Sequence, residues 1–301
     1  MTLQEAALQS APVFPILKPS QRQTGISTLV LLLIALTPAR AQVLYEGTQG
    51  TLPDAQGWTY GAFAFNTIVK QATDNSVLLD TTSTTQNSAG WSPATAPLLD
   101  RAAGFALAFT ARINAETHNN AHRAGFSVIV LGTDTNGVEL AFWTTNIFAQ
   151  SDAPLFNHAE DTAFSTTNAF VDYALVLAAS NYVLHANGTP ILAGAARNYT
   201  AFNGFPNPYR TPNFIFFGDD TGSAAAAVNV RRIALVRPPT VSSPAPGVIT
   251  WNGVSNLTYT VQTSSNLVHW TRAGTANSGS GVFWFTNSAA RSSQFLRVAF
   301  P

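Results

Sequence analysis

Ionisable side chains are scarce in this chain, so those that fall on apolar strands stand out: of 301 residues only 10% are Asp, Glu, Lys or Arg. On the run Val138-Glu-Leu-Ala-Phe-Trp143, strand periodicity puts Val138, Leu140 and Phe142 on one side and Glu139, Ala141 and Trp143 on the other. With the first set in the core, Glu139 and Trp143 lie side by side on an open face. An indole beside hydrogen-bonding groups is how proteins hold a sugar ring, its apolar face on the aromatic plate and its hydroxyls on the polar atoms. Arg123, His158 and Glu160 are the groups expected to orient such a ligand. A one-residue slip of register would instead tuck Trp143 under the segment 146–168 as ordinary core.

The same residues admit catalytic readings. Glu139 and Glu160, if brought together across strands, would form the two-carboxyl pair that glycoside hydrolysis needs. Arg123, His158 and Glu139 would supply the electrophile and base of a lyase acting on a uronic acid. The plainer alternative is a buried ion pair, Arg123 with Glu139 or Glu160, that fixes strand register and catalyses nothing. Asp219 and Asp220 sit between Gly218 and Thr221-Gly222, where a strand is expected to end. In a loop both carboxylates can converge on one hard cation, calcium, or Asp219 can simply bond its own backbone turn. His118 and His122 are four residues apart, but His-Asn-Asn-Ala-His reads as a loop, which argues against the helical zinc arrangement.

The elements that must carry these groups read as β throughout. Phe105, Leu107, Phe109, Ala111 and Ile113 alternate with smaller or polar residues, the period of a half-buried strand. Four β-rich runs follow one another from Phe170 to Val236, and Asn187-Gly188 joins Tyr182–Ala186 to Thr189–Leu192 by a tight turn that tolerates positive φ. Asn136-Gly137 is expected to turn 125–131 back into 138–145 in the same way. Residues 146–168 read as a polar, irregular loop.

Composition sets the boundaries. Lys18 and Arg22 precede the apolar run Leu29–Leu36, and Ala39-Arg-Ala41 carries small residues where a signal peptidase cuts, so residues 1–41 read as a signal peptide cleaved before Gln42. The run is too short for a stable membrane span, which wants about 20 apolar residues. Removing that segment takes away Lys18, Arg22, Arg40 and Glu5, leaving 12 basic and 14 acidic side chains and no basic stripe. Nucleic acid is thereby excluded as a partner. The chain has no cysteine, so an exported fold must be held by its core without disulfides. Prolines 238, 239, 244 and 246 mark 238–247 as a linker between a large domain, 42–237, and a small β module, 248–301. In the module, Trp251, Tyr259, Trp270, Trp284 and Phe295 are expected to form an aromatic interior.

The strand order from Phe170 to Val236, with an apolar run ending in Gly-Asp-Asp, resembles the closing half of concanavalin A-like and laminin G-like jelly rolls. The pieces Glu116-Thr-His118, Arg123-Ala-Gly-Phe-Ser127, Val138-Glu-Leu-Ala-Phe-Trp143, His158-Ala-Glu160, Pro212-Asn-Phe214 and Gly218-Asp-Asp-Thr221 are similar to the bacterial exported choice-of-anchor family. The pattern from Trp251 through Tyr259-Thr-Val-Gln to Asn266-Leu resembles short fibronectin-like C-terminal modules of secreted Gram-negative proteins. These resemblances imply an all-β concanavalin A-like jelly-roll sandwich with a second, small β-sandwich-like module, secreted or held at the cell surface of a Gram-negative bacterium. Laminin G-like relatives imply calcium at the Asp219/Asp220 rim. The Glu-x-Asp-x-x-Glu run usual in jelly-roll glucanases is missing, since Ala141 follows Glu139 at the second position. The expectation is therefore non-catalytic binding of a polysaccharide or cell-surface glycan, ranked ahead of a purely structural or adhesive role and of a glycan-cleaving enzyme.

Overall fold

A computed structural model describes residues 41–245, 247–287 and 295–299. The expected signal peptide, Ala41 excepted, lies outside them. The fold is the all-β jelly-roll sandwich expected from the strand order, with a small second β-sandwich following it. The eight-stranded sheet runs Thr189–Ala195, Asn181–Ala186, Val171–Ala178, Phe105–His118, Ala224–Val236, Val77–Asp80 and Val69–Ala72, with Gln42–Glu46 also paired to Ala224–Val236. The seven-stranded sheet runs Leu155–Ala163, Asn146–Asp152, Gly137–Phe142, Ser127–Leu131, Phe214–Asp219, Ser88–Pro93 and Trp58–Phe63. All pairings are antiparallel.

Alternation builds the core between the sheets. Phe105, Leu107 and Phe109 from one layer meet Val138, Leu140 and Phe142 from the other, and Phe142 packs on Phe109 and Tyr173 with ring centroids 6.1 and 5.4 Å apart. Asn187 and Gly188 form the expected tight turn with φ of 49° and 81°. Gly188 is doubly required, because a Cβ there would lie 2.5 Å from the Asn256 carbonyl oxygen.

Two local expectations need correcting. Residues 146–163 are not a loop: they form the hairpin Asn146–Asp152 and Leu155–Ala163, whose register shifts around His158 break the simple alternation that marks a strand. The turn before Gly137 spans Gly132 to Asn136, with Thr135 at φ 62° and Gly137 already in the strand.

The outward face of the eight-stranded sheet is apolar and small, with Ala106, Ala174, Val176 and Val236 all buried. Trp251, Leu257, Tyr259, Val261 and Phe283 of the C-terminal module pack onto it as one core. That module has two three-stranded sheets: Ser242–Ala245, Val248–Asn252 and Val282–Thr286; and Thr271–Asn277, Thr258–Ser264 and Phe295–Ala299. Its aromatic interior differs from expectation, because Trp284 is 68% and Phe295 44% exposed while Phe283 takes the inward position. Leu267–His269 is a turn capped by Ser264 and Asn266, so the strand there starts at Thr271. No helix among the described residues is long and apolar enough to cross a membrane.

A shared core predicts shared unfolding. Jelly roll and module should melt in one urea transition, and Ala174→Glu, which buries a charge between them, should lower stability by about 3 kcal/mol. Two separate transitions, or an unmoved midpoint in the variant, would contradict the shared core.

Candidate functional site

The outward face of the seven-stranded sheet is shaped by a register coincidence. Gly61, Gly90, Gly218, Ser127 and Ala141 lie opposite one another on five adjacent strands, so one row across the sheet carries almost no side chain. Phe216, on the neighbouring row, leans its ring over Gly90, where a Cβ would lie 2.4 Å from it. Chain segments 153–157 and 196–213 arch over this face and close it on one side. What remains is a cleft of about 880 Å³, within the range of small-ligand sites. Phe63, Phe156, Phe202, Phe205 and Tyr209 line it, and His122, Arg123 and Asp220 stand at its polar side. Phe63 and Phe205 meet edge to face at 6.4 Å and are 48% and 90% exposed.

The polar side is a compact charge cluster. Arg123 donates from Nη2 to Asp220 Oδ2 at 2.9 Å, and its Nη1 lies 3.4 Å from Glu139 Oε1. Its guanidinium also covers the ring of Phe156, 4.9 Å from the centroid. Burial alone would lower the Arg123 pKa, but Asp220 and Glu139 outweigh it and hold the group charged. Glu139 is wholly buried, with its Oε2 accepting from the Tyr209 hydroxyl at 2.5 Å. Burial, and then the Asp220 carboxylate, push its pKa up to about 8 against the pull of Arg123. Burial and the adjoining Glu139 raise the Tyr209 phenol well above its ordinary value, so it stays a donor. Glu139 Oε1, Asp220 Oδ1 and Arg123 Nη1 have no hydrogen-bond partner. The neutral form that burial favours for Glu139 lessens the charge the guanidinium must offset.

Asp219 turns the other way, into the interior, and is 1% exposed. Its Oδ2 lies 2.6 Å from the Thr81 hydroxyl and its Oδ1 accepts from the Thr221 amide at 3.2 Å. Burial pushes its pKa up to about 9. The expected convergence of Asp219 and Asp220 on one calcium ion is thus not matched: one carboxyl is sealed inside on Thr81 and the other is held by Arg123. No group of three or more His, Cys, Asp or Glu suited to a metal ion gathers among the described residues. The donor set does not fit calcium.

The other expected site residues separate. Trp143 lies outside the cleft, its indole N–H donating to the Arg123 carbonyl at 2.8 Å and its ring stacked on His118 at 4.2 Å. It braces the loop that carries Arg123. His158 packs on Phe148 and Trp143 with centroids 3.6 and 4.9 Å away, and burial, then His122, lower its pKa. Glu160 binds Arg197 and accepts from the Tyr182 hydroxyl at 3.1 Å, tying edge strand Leu155–Ala163 to the opposite sheet. Glu139 and Glu160 therefore do not form a two-carboxyl pair, and Trp143 does not share an open face with Glu139. Of the expected set, Arg123 and Glu139 meet, joined by Asp220. Phe63, Phe156, Phe202, Phe205 and Tyr209 were not anticipated; the aromatic and proline density of Phe202–Tyr209 is the signal that marks that segment.

No family model and no curated protein matches the chain, so neither the choice-of-anchor nor the fibronectin-like resemblance gains support there. Solved structures similar in fold include a Bacillus subtilis protein of unknown function with a galectin-like fold, at 11% identity, covering 66% of this chain and 98% of that one, TM-score 0.42. A carbohydrate esterase from the Shiga toxin-encoding bacteriophage phi24B aligns at 13% identity over 67% of this chain and 98% of its own, TM-score 0.43. The exoplasmic/lumenal domain of VIP36, in a form bound to calcium and Man3GlcNAc, aligns at 9% over 67% and 91%, TM-score 0.40. Likeness at this level assigns neither ligand nor activity.

The buried acids make stability depend on pH in a definite direction. A folded pKa near 9 against an ordinary 3.8 means that Asp219 contributes stability fully below about pH 4, and that contribution is lost as pH rises through about 9. The Thr81 hydroxyl donates to Asp219 Oδ2 at 2.6 Å, and an amide at 219 keeps that acceptor while carrying no charge at any pH. Asp219→Asn should therefore flatten the fall of Tm with rising alkalinity; parallel curves for variant and wild type would rule this out.

Proposed function

We propose that the protein is an exported, lectin-like glycan binder that holds its ligand without chemistry in the cleft on the seven-stranded sheet. The observation that carries this reading is the pairing of exposed phenyl rings, Phe63 and Phe205, with a trough floored by Gly61 and Gly90 and polar along one side. Sugar rings offer C–H faces to aromatic plates and hydroxyls to polar atoms, and a trough without side chains leaves room for a chain of them. A hydrolase needs two carboxyls about 5 to 5.5 Å apart at the scissile bond. Here Asp219 and Asp220 are the carboxylates of the lining, the first is sealed inside, and Glu139 lies buried beneath Tyr209. Export rests on the Leu29–Leu36 run and the Ala39-Arg-Ala41 cleavage signal. Calcium has no part in this reading, because Arg123 occupies Asp220.

Phe205 has little to lose on removal, being 90% exposed, so Phe205→Ala should keep the wild-type Tm. Together with Phe63→Ala it should weaken glycan retention about tenfold, roughly 1.4 kcal/mol. A chelator should change nothing. A thermal melt reads the first and affinity electrophoresis against immobilised polysaccharides the other two, and retention by no glycan, or unaltered retention in both variants, would defeat the proposal. Reducing ends or unsaturated products in the same mixtures would point to cleavage instead.

A further inference from the structure

Charge within the cleft narrows the class of glycan, given the binding reading above. Arg123 is the sole Lys or Arg in the lining, and its guanidinium is held by the protein's own groups: Nη2 donates to Asp220 at 2.9 Å, Nη1 is ion-paired with Glu139 at 3.4 Å without a hydrogen bond, and Phe156 covers its plane. Its side chain is only 12% exposed. Burial pushes Glu139 and Asp219 towards their neutral forms, and the guanidinium meets the Asp220 carboxylate as its hydrogen-bonded partner. Besides the imidazole of His122, whose Nδ1 accepts from the His158 amide at 3.3 Å, the remaining polar lining is made of hydroxyls and amides, among them Thr59, Ser92, Asn120, Asn157, Asn207 and Ser223.

We infer that the cleft selects uncharged polysaccharides and rejects uronate-bearing or sulfated ones. An acidic sugar entering here must shed water from its carboxylate, and the lining has no lysine and no second arginine to return that energy. Recognition of a carboxylate favours a forked, two-bond contact with an arginine, and the one arginine present is already hydrogen-bonded to Asp220 and ion-paired with Glu139. The Asp220 carboxylate would face the incoming anion as a like charge. A neutral pyranose meets no such penalty: its hydroxyls bond the amides and hydroxyls of the walls, and its C–H faces rest on Phe63 and Phe205. Because no net charge drives the association, affinity should be nearly indifferent to salt.

The test runs the full mature chain against chains of matched length: uncharged mannan, xylan, β-glucan and galactan on one side, polygalacturonate, alginate and sulfated galactan on the other. Expected is retention by at least one uncharged polymer, every acidic polymer about tenfold weaker or worse, and less than a twofold change from about 50 to about 500 mM NaCl. Preferential retention by an acidic polymer, falling with salt, overturns the selectivity while leaving glycan binding intact. Retention by none of the seven overturns both.

Discussion

Glu139 is a carboxyl on the outward face of a sheet with no exposure to water, and that placement obliges the surrounding chain to converge on it. A buried acid needs either a proton or a cation, and hydrogen bonds besides. Arg123 comes from the loop after strand Phe105–His118, Asp220 from the end of strand Phe214–Asp219, and Tyr209 from the segment 196–213. Three connections that would otherwise wander are thereby tied to one point. Trp143 and Gln150 extend the tie, the first donating to the Arg123 carbonyl and the second to the His122 carbonyl, both at 2.8 Å. The cleft has its polar wall because the acid beneath it must be compensated.

The two outward faces of the sandwich then take opposite solutions. On the eight-stranded sheet, alanine and valine leave a flat apolar surface, and the aromatic side of the C-terminal module covers it. On the seven-stranded sheet, Phe156, Phe202, Tyr199 and Tyr209 form a ring cluster that roofs part of the face, with centroid separations of 5.3 to 6.1 Å. The glycine row beyond it is too shallow to support that roof, so a trough stays open. One face is finished by burial and the other by leaving a hollow.

Much of the fold was legible because it is local. The inward side of Val138-Glu-Leu-Ala-Phe, the Asn187-Gly188 turn and the end of the strand at Asp219 all follow from period-two alternation and turn chemistry. The site was less legible because its parts are not local. That Glu139 faces away from the main core could be read; that Tyr209 would lie over it, 70 residues on, could not. Gly61, Gly90 and Gly218 are unremarkable singly and form a trough only once three strands are in register. Strand Leu155–Ala163 hid behind its irregular register, which defeats any periodic count. In the module, Phe283, Trp284 and Phe285 are all aromatic, so alternation alone had no contrast with which to choose the inward side.

Charge pairing of this kind seldom adds net stability, since desolvation offsets most of the attraction. Its effect here is on geometry and on potential. An apolar residue at 139 would pack as well against Ile129 and Tyr199, yet Asp220 alone would then hold the Arg123 guanidinium. A free guanidinium at that wall would turn the trough into an anion site. By holding the arginine between two acids, the cluster gives the cleft a polar wall without a free cation. What remains to attract a ligand is short-range: contact with phenyl rings and hydrogen bonds to amides and hydroxyls, both of which read shape before charge.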